Sequence, residues 1–328
     1  MSTIIALIAA AVTFGTVLMY GTLGEVLTER SGNLNLGVEG IMFMGGAFGL
    51  GGVFYYEQAV GEANSSAAVA LLIALAASFA AGAIASLIFS FLTITLRANQ
   101  NVTGLALTIF GTGVGQFTGE YMRVHQGGYV ALSNHLKEFF SKSFFPQAMQ
   151  DIPVAGKLLF SHSLFFYLAL VLAVVMWWFL YKTRTGLHLR SVGENPATAD
   201  AAGINVTKFK YLATIIGGGI SAIGGMVYIV TTAGCVWNHE GLSGVGWLAV
   251  ALVIFCMWHP LSAIWGSIFF GALMILYLRL IIPFIPTQLY KILPYVVTVI
   301  VLVISSMRNN KEKQPPASLG LPYFREDR

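Results

Sequence analysis

The chain has 328 residues, of which 56% are hydrophobic and only 10% are charged, and its mean hydropathy is +0.76. Too little polar surface exists to cover a water-soluble globule of this size, so the composition excludes a soluble enzyme and predicts an integral membrane protein. The formal net charge is +4, but the basic residues cluster at predicted helix ends and do not form a nucleic-acid-binding patch.

Hydropathy along the chain predicts an all-α polytopic membrane helix bundle with about nine membrane segments. The predicted segments cover residues 3–23, 38–56, 66–96, 101–119, 163–181, 209–232, 247–258, 261–282 and 290–307. The segment 247–258 is too short to cross a bilayer alone, so we expect a broken or re-entrant helix there. Residues 1–308 then form the transmembrane domain, and the charged, proline-containing tail 309–328 is expected to be disordered.

The distribution of basic residues predicts an N-terminus outside and a C-terminus inside, because 12 of the 18 lysines and arginines then fall on the inner side. With the fifth segment set aside, segments one to four and six to nine run in opposite directions, as in an inverted repeat. SGNLNLGVEGIMFMGGAFG and EGLSGVGWLAVALVIF agree weakly with such a repeat, since each places a glycine-rich lead before an apolar run. Chance similarity between glycine-rich segments is the alternative.

Polar residues at the start of the second segment are candidates for the substrate path. Asn33, Asn35 and Glu39 lie just before or within it, where an uncompensated carboxylate costs about 2 to 3 kcal/mol. They should therefore face protein or water. Trp247, at the start of the second interrupted region, would add an aromatic face to this path. The alternative is structural: the two asparagines cap the helix, and Glu39 pairs with Arg30 or with a backbone amide.

The region from residue 120 to 162 is too long for a tight loop and mixes charged with aromatic residues. It is predicted to form short amphipathic helices on the outer face, where it would present a surface to a substrate-binding protein. An insertion without partner contacts explains the same composition.

A polar island at residues 189–211, within a loop covering about 182–211, contains a short helix that can be read directly. Asn195 is a good N-cap, Pro196 suits the first turn, and Gly203 can end the helix in a left-handed conformation. Small side chains on its exposed face would let another protein come close, whereas an ordinary connector is the alternative. The candidate docking residues are Glu194, Asn195, Pro196, Ala197, Asp200, Ala201, Ala202 and Gly203.

Four motifs carry a family resemblance. GENPATADAAGINV, ERSGNLNLGVEG (residues 29–40), LRANQ (96–100) and ILPYVVTVIVLVISS (292–306) together resemble the permease subunits of bacterial ABC importers. This group includes branched-chain amino acid, ribose-type sugar and nucleoside permeases, and the first two motifs are most similar to the nucleoside branch. The resemblance implies that residues 195–203 form the coupling helix, which sits in a groove of a cytoplasmic ATPase.

The resemblance also implies the partners. ATP and Mg would be bound by the separate ATPase subunit, a second permease would complete the pore, and an extracytoplasmic binding protein would deliver the substrate across a bacterial cytoplasmic membrane. The chain itself has no phosphate loop, no HExxH and no paired-cysteine motif, so we assign it no catalytic residue, metal or cofactor.

Nucleosides rank first as the substrate, sugars second and branched-chain amino acids third. An amino acid would have to find partners for both an ammonium and a carboxylate, and the candidate path offers few charged groups besides Glu39. A different class, an ion-driven secondary carrier, would need ionisable groups in mid-span, where only Glu39 and Glu25 come close.

Overall fold

A computed structural model describes residues 2–152, 156–238, 240–279, 287–307 and 314–325. Within these ranges all regular secondary structure is helical. Only two isolated bridges, Ala131 with Val236 and Ser143 with Ser163, have β geometry. The all-α prediction is therefore confirmed. Residues 309–313 and 326–328 of the predicted tail lie outside the described residues.

Thirteen α-helices are found in the described ranges. They are α1 Ser2–Glu29, α2 Val38–Val60, α3 Ala67–Ser90, α4 Gln100–His125, α5 Asn134–Ser141, α6 Gln147–Gln150, α7 Leu164–Lys182, α8 Arg184–Glu194, α9 Pro196–Ala201, α10 Val206–Val227, α11 Val245–Phe255, α12 Pro260–Arg279 and α13 Thr287–Met307. Short π-helical turns at Phe91–Thr95 and Tyr228–Thr232 continue α3 and α10, and a third lies at Gly156–Phe160.

Five helical stretches in the described part of the chain are long and apolar enough to cross a membrane. They are Ile5–Glu29, Val38–Val60, Ala67–Thr95, Leu164–Lys182 and Val206–Thr232. Shorter apolar helices lie at Val245–Phe255, Pro260–Leu276 and Ile292–Val301. The chain is thus a multi-pass membrane protein, and the short segment predicted near 247–258 is an 11-residue helix, α11. The total of nine segments stays a prediction. Helix α4 has 26 residues but is not among the helices that are long and apolar enough to cross a membrane, because it is rich in polar residues and glycine.

Helices α1 and α10 form the centre of the bundle. Helix α1 packs against α7, α10, α11 and α12, while α10 also packs against α2 and α3. The two central helices meet at Gly24 and Gly217, where a Cβ on Gly24 would overlap the carbonyl oxygen of Gly217 and the hydroxyl of Ser221. Without a hydrophobic drive between helices in lipid, such close backbone approach supplies much of the packing energy. The small-residue spacing of α10 has this structural use.

The outward faces of the bundle are apolar, as a lipid-facing surface requires. Large hydrophobic side chains of α3, α4 and α7 are exposed, among them Leu72, Ile84, Val102, Ile109, Phe117, Val171, Val174 and Trp178. Composition alone therefore does not separate the buried faces of these helices from their lipid faces.

The two ends of the bundle differ. We call the end that carries α8 and α9 the α9 end; α1 finishes there and α10 begins there. At the opposite end, residues 120–162 include the amphipathic helix α5, whose Leu136 and Phe140 are buried. This region is tied to the turn after α10, because Leu132 N donates to Cys235 O at 3.2 Å and Trp237 N donates to Val130 O at 3.2 Å.

The described part of the tail, residues 314–325, differs from the disorder expected from its composition. Ser318 N donates to Gly193 O at 3.0 Å, and Gly320 N donates to Gly32 O at 3.1 Å. These bonds anchor the segment at the α9 end, against α8 and the turn after α1. The reason is tertiary: backbone groups of two distant turns accept the tail, and neither turn leaves a signal in the tail's own sequence.

Candidate coupling surface and substrate path

Helix α9 begins and ends as its sequence predicts. The Oδ1 atom of Asn195 accepts the backbone N–H of Thr198 at 3.0 Å, and Pro196 occupies the first turn, where no N–H is needed. Gly203 has φ of +81°, and its N–H donates to Asp200 O at 2.9 Å. A left-handed residue closes the helix and turns the chain into α10, so Gly203 meets a conformational requirement here.

The exposed surface of α9 consists of small side chains. Most of the predicted docking residues are exposed, namely Glu194, Asn195, Ala197, Ala201, Ala202 and Gly203, whereas Pro196 and Asp200 are half-buried. Ala199 faces inward and packs with Val192 and Val206. Ala199 thus packs α9 onto the bundle, and the exposed small side chains leave the other face of the helix accessible to a protein surface.

Helix α8 precedes α9 and was not predicted from the sequence. Its N-terminus is capped by Thr183, whose Oγ1 accepts the backbone N–H of Gly186 at 3.0 Å. Threonine is a favourable N-cap residue, so the sequence Thr-Arg-Thr-Gly could have indicated this helix start. At its other end, Gly193 lies against the turn after α1, and a Cβ there would overlap the carbonyl oxygen of Arg30. The α8–α9 unit therefore abuts the turn that leads into α2.

Asp200, on the inner side of α9, is bonded to the tail. Tyr323 Oη donates to Asp200 Oδ2 at 2.8 Å, and Arg325 Nε lies 3.1 Å from the same oxygen. The Asp200 carboxylate therefore binds the tail of the same chain, and α9 is held by the tail as well as by α8.

The two predicted path asparagines have structural hydrogen bonds. Asn35 Oδ1 accepts Gly37 N at 2.9 Å, a local turn at the start of α2, and Asn35 N donates to Glu25 Oε1 at 3.1 Å. Asn33 Nδ2 donates to Thr214 Oγ1 at 2.8 Å. The Oδ1 atom of Asn33, by contrast, is buried and has no partner among the described residues. Asn33 lines a cavity, as described below.

Glu39 joins the start of α2 to the start of α11. It is 5% exposed, and its carboxylate accepts the backbone N–H groups of Gly244 at 2.5 Å, Gly246 at 2.7 Å and Trp247 at 3.3 Å. These groups belong to the first turn of α11, whose N–H groups have no intrahelical partners. We call this arrangement the Glu39 clamp. Of the sequence alternatives for Glu39, the backbone amide is the observed partner.

Arg30 makes other contacts. Its Nε donates to Trp258 O at 3.1 Å, and its guanidinium also donates to Tyr181 Oη at 3.2 Å. Burial lowers the pKa of Arg30, and the neighbouring Tyr181 and Glu194 act in the opposite direction. The Trp258 indole in turn donates to Glu29. These bonds tie the end of α1 to the turn between α11 and α12.

Two cavities open at the two ends of the bundle. The first, at the α9 end, has a volume of about 730 Å³ and a polar lining that includes Asn33, Arg97, Gln100, Lys208 and Lys210. The second, at the opposite end, has a volume of about 610 Å³. It is lined by Ala10, Thr13, Phe14, Tyr228, Thr232, Glu240, Gly241, Ser243, Val245, Met274, Ile275 and Tyr295. Trp247 does not line either of them, and its neighbour Val245 lines the second.

Membrane-spanning helices, one short helix among them and cavities at both ends of the bundle fit the architecture of a membrane permease. Residues 7–302 match the family described as branched-chain amino acid transport system / permease component, and the chain belongs to this family. The family resemblance drawn from the four sequence motifs is confirmed.

Three relatives match almost end to end. Guanosine ABC transporter permease protein NupQ of Bacillus subtilis (strain 168) is 34% identical over 98% of this chain and 97% of its own length. TsgC13 of Haloferax volcanii, an ABC transporter permease whose name proposes glucose as substrate, is 33% identical over 98% of each chain. Nucleoside ABC transporter permease protein NupC of Lactococcus lactis subsp. cremoris is 30% identical over 91% of each chain.

Proposed function

We propose that this chain is the permease subunit of an ATP-driven importer of nucleosides. The Glu39 clamp is the observation that carries the substrate class. In transporters with interrupted helices, the free N–H groups of a half-helix commonly receive a substrate carboxylate. Here those N–H groups of α11 are already occupied by a carboxylate of the protein. The carboxylate of an amino acid entering this region would therefore meet the negative charge of Glu39 and would find no free N–H groups at the start of α11.

A neutral substrate avoids this conflict, because its hydroxyl and ring nitrogen groups need only uncharged partners. Both nucleosides and sugars meet that condition. The names of NupQ and NupC favour nucleosides, whereas that of TsgC13 favours a sugar. A sugar importer is therefore the second candidate, and the experiment below includes it.

Helix α9 is proposed as the coupling helix, which docks on a cytoplasmic ATPase that binds ATP and Mg. Its position supports this role. A push on α9 would pass through α8 to Gly193, which lies against the turn at Arg30. That turn leads through Asn33 and Asn35 into α2, and Glu39 links α2 to α11. Nucleotide-driven movement of α9 would thus reach α2 through the backbone contact of Gly193 with Arg30, and would reach α11 through the Glu39 side chain.

The remaining partners follow from the same proposal. The α9 end would face the cytoplasm of a bacterial cell, so that the N-terminus lies outside and the C-terminus inside. Residues 120–162 at the opposite end would receive a substrate-binding protein, and a second permease, identical or related, would complete the pore. The exposed apolar faces of α3, α4 and α7 offer surface to lipid or to that second permease.

Uptake by the complete transporter tests the function. The permease would be expressed with its ATPase and binding protein in cells that lack other nucleoside transport, and radiolabelled guanosine, ribose and leucine would be supplied in parallel. We expect ATP-dependent guanosine uptake. Uptake of ribose or leucine without guanosine would reject the nucleoside assignment, and guanosine uptake that persists after ATPase inactivation would favour an ion-driven carrier.

A further inference from the structure

The cavity at the end opposite α9 has the chemistry of a ligand site, and none of the four path residues predicted from the sequence, Asn33, Asn35, Glu39 and Trp247, lines it. We call it the outer cavity, and its walls come from α1, the π-helical turn Tyr228–Thr232, the turn 240–243 that leads into α11, the start of α11, α12 and α13. We propose that the outer cavity binds the nucleoside directly within the permease. This inference rests on the proposed function and assigns a site to its substrate.

Aromatic rings supply one half of the recognition. Phe14 and Tyr228 meet edge to face, with ring centroids 6.3 Å apart and planes at 90°, and Tyr295 lines the same cavity. Met274 and Ile275 add apolar surface. A flat purine or pyrimidine base stacks on such rings whatever its pattern of hydrogen-bonding groups. The cavity therefore suits a class of bases.

Hydroxyl groups and one carboxylate supply the other half. Thr13, Thr232 and Ser243 line the cavity together with Glu240. A carboxylate accepts hydrogen bonds from the vicinal 2′- and 3′-hydroxyls of a ribose, as acidic residues do in dinucleotide sites. The backbone N–H of Glu240 donates to Asn238 Oδ1 at 3.0 Å. Glu240 is thus placed to recognise the sugar.

The charges in the described wall of the outer cavity favour a neutral ligand over an anionic or zwitterionic one. Of the described residues in its wall, none is lysine, arginine or histidine. The wall residues Ser243 and Val245 flank Gly244, whose N–H is taken by the Glu39 clamp. Among the described wall residues, a ligand carboxylate or phosphate would find no cationic partner, and the N–H groups at the start of α11 are already bonded to Glu39. The volume of about 610 Å³ lies in the range of small-molecule sites.

Cysteine protection provides a direct test that does not depend on uptake. Ser243→Cys would be prepared in a background carrying Cys235→Ala and Cys256→Ala, since both native cysteines are buried. The complete transporter, purified into lipid nanodiscs, would be labelled with a maleimide at increasing guanosine, ribose or leucine. The matched control is Ser66→Cys, an exposed position at the same end of the bundle but away from the outer cavity.

We expect guanosine to slow the labelling of Ser243→Cys at least five-fold and to leave Ser66→Cys unchanged. Leucine should protect neither position. Absence of guanosine protection in a transporter that still imports guanosine would overturn the site and leave the function intact. Protection by ribose equal to that by guanosine would overturn the role of the aromatic rings. Absence of guanosine uptake by the unmodified transporter would reject the proposed function itself.

Two variants separate sugar from base recognition. Glu240→Gln should weaken the apparent affinity for guanosine about ten-fold and leave that for 2′,3′-dideoxyguanosine unchanged, because the latter lacks the hydroxyls. Tyr295→Ala should weaken both ligands at least five-fold, whereas Tyr295→Phe should weaken neither. Tyr121→Ala removes an exposed tyrosine of α4 and serves as the control. Equal losses for both ligands in Glu240→Gln would contradict ribose recognition by Glu240.

Discussion

Replacement of Glu39 by glutamine tests the clamp between α2 and α11. The carboxylate accepts three backbone N–H groups, those of Gly244, Gly246 and Trp247. An amide retains one acceptor oxygen and turns an NH₂ group toward at least one of these donors. A hydrogen bond to a charged group contributes about 1.5 to 3 kcal/mol, and a buried unsatisfied donor costs about 1 to 3 kcal/mol. We expect the variant to lose about 3 kcal/mol of unfolding free energy.

Glu57→Gln provides a matched control in the same helix. Glu57 is also 5% exposed, but its carboxylate accepts a single N–H, that of Ser133, at 3.1 Å. A glutamine can keep that bond through its amide oxygen, so the expected loss is about 1 kcal/mol. The difference between the two variants isolates the cost of breaking the clamp from the general cost of removing a buried carboxylate.

The assay is reversible unfolding in mixed micelles, with tryptophan fluorescence as the signal and wild type and both variants at the same detergent composition. Trp247, one of the six tryptophans of the chain, lies at the clamp itself, so loosening of α11 should contribute to the change in total emission. Equal losses in the two variants, or none in Glu39→Gln, would refute the assignment of Glu39 as the group that holds α11.

Three further predictions concern packing, coupling and topology. Gly225→Ala should lower the unfolding free energy by about 1 to 3 kcal/mol, because its Cβ would meet the carbonyl of Met42, whereas Gly113→Ala, with open space around it, should not destabilise the protein. The same unfolding assay measures both variants, and similar losses in the two would contradict the close packing. Gly203→Pro and Asp200→Arg should leave the permease inserted but reduce ATPase co-purification, and wild-type assembly in both would exclude α9 as the docking element. A membrane-impermeant thiol reagent should label Ser66→Cys but not Thr198→Cys in intact cells; the reverse would invert the proposed topology.

The sequence by itself determined the membrane class and the local structure of α9. Composition excluded a soluble globule, because lipid and not water must face most of these side chains. The cap at Asn195 and the left-handed Gly203 could be predicted since both depend on hydrogen bonds within three or four residues of the chain. The short helix α11 followed from its length and its glycine-rich lead.

Only the tertiary structure decided the partner of Glu39, the position where the tail binds and the outer cavity. Glu39 and Gly244 are 205 residues apart, and Tyr323 and Asp200 are 123 residues apart, so neither pair leaves a local pattern. In lipid, the apolar residues that face another helix resemble those that face the bilayer, and hydropathy therefore does not tell which helices touch. The outer cavity gathers residues from five separate segments, and its recognition chemistry exists only where their packing brings them together.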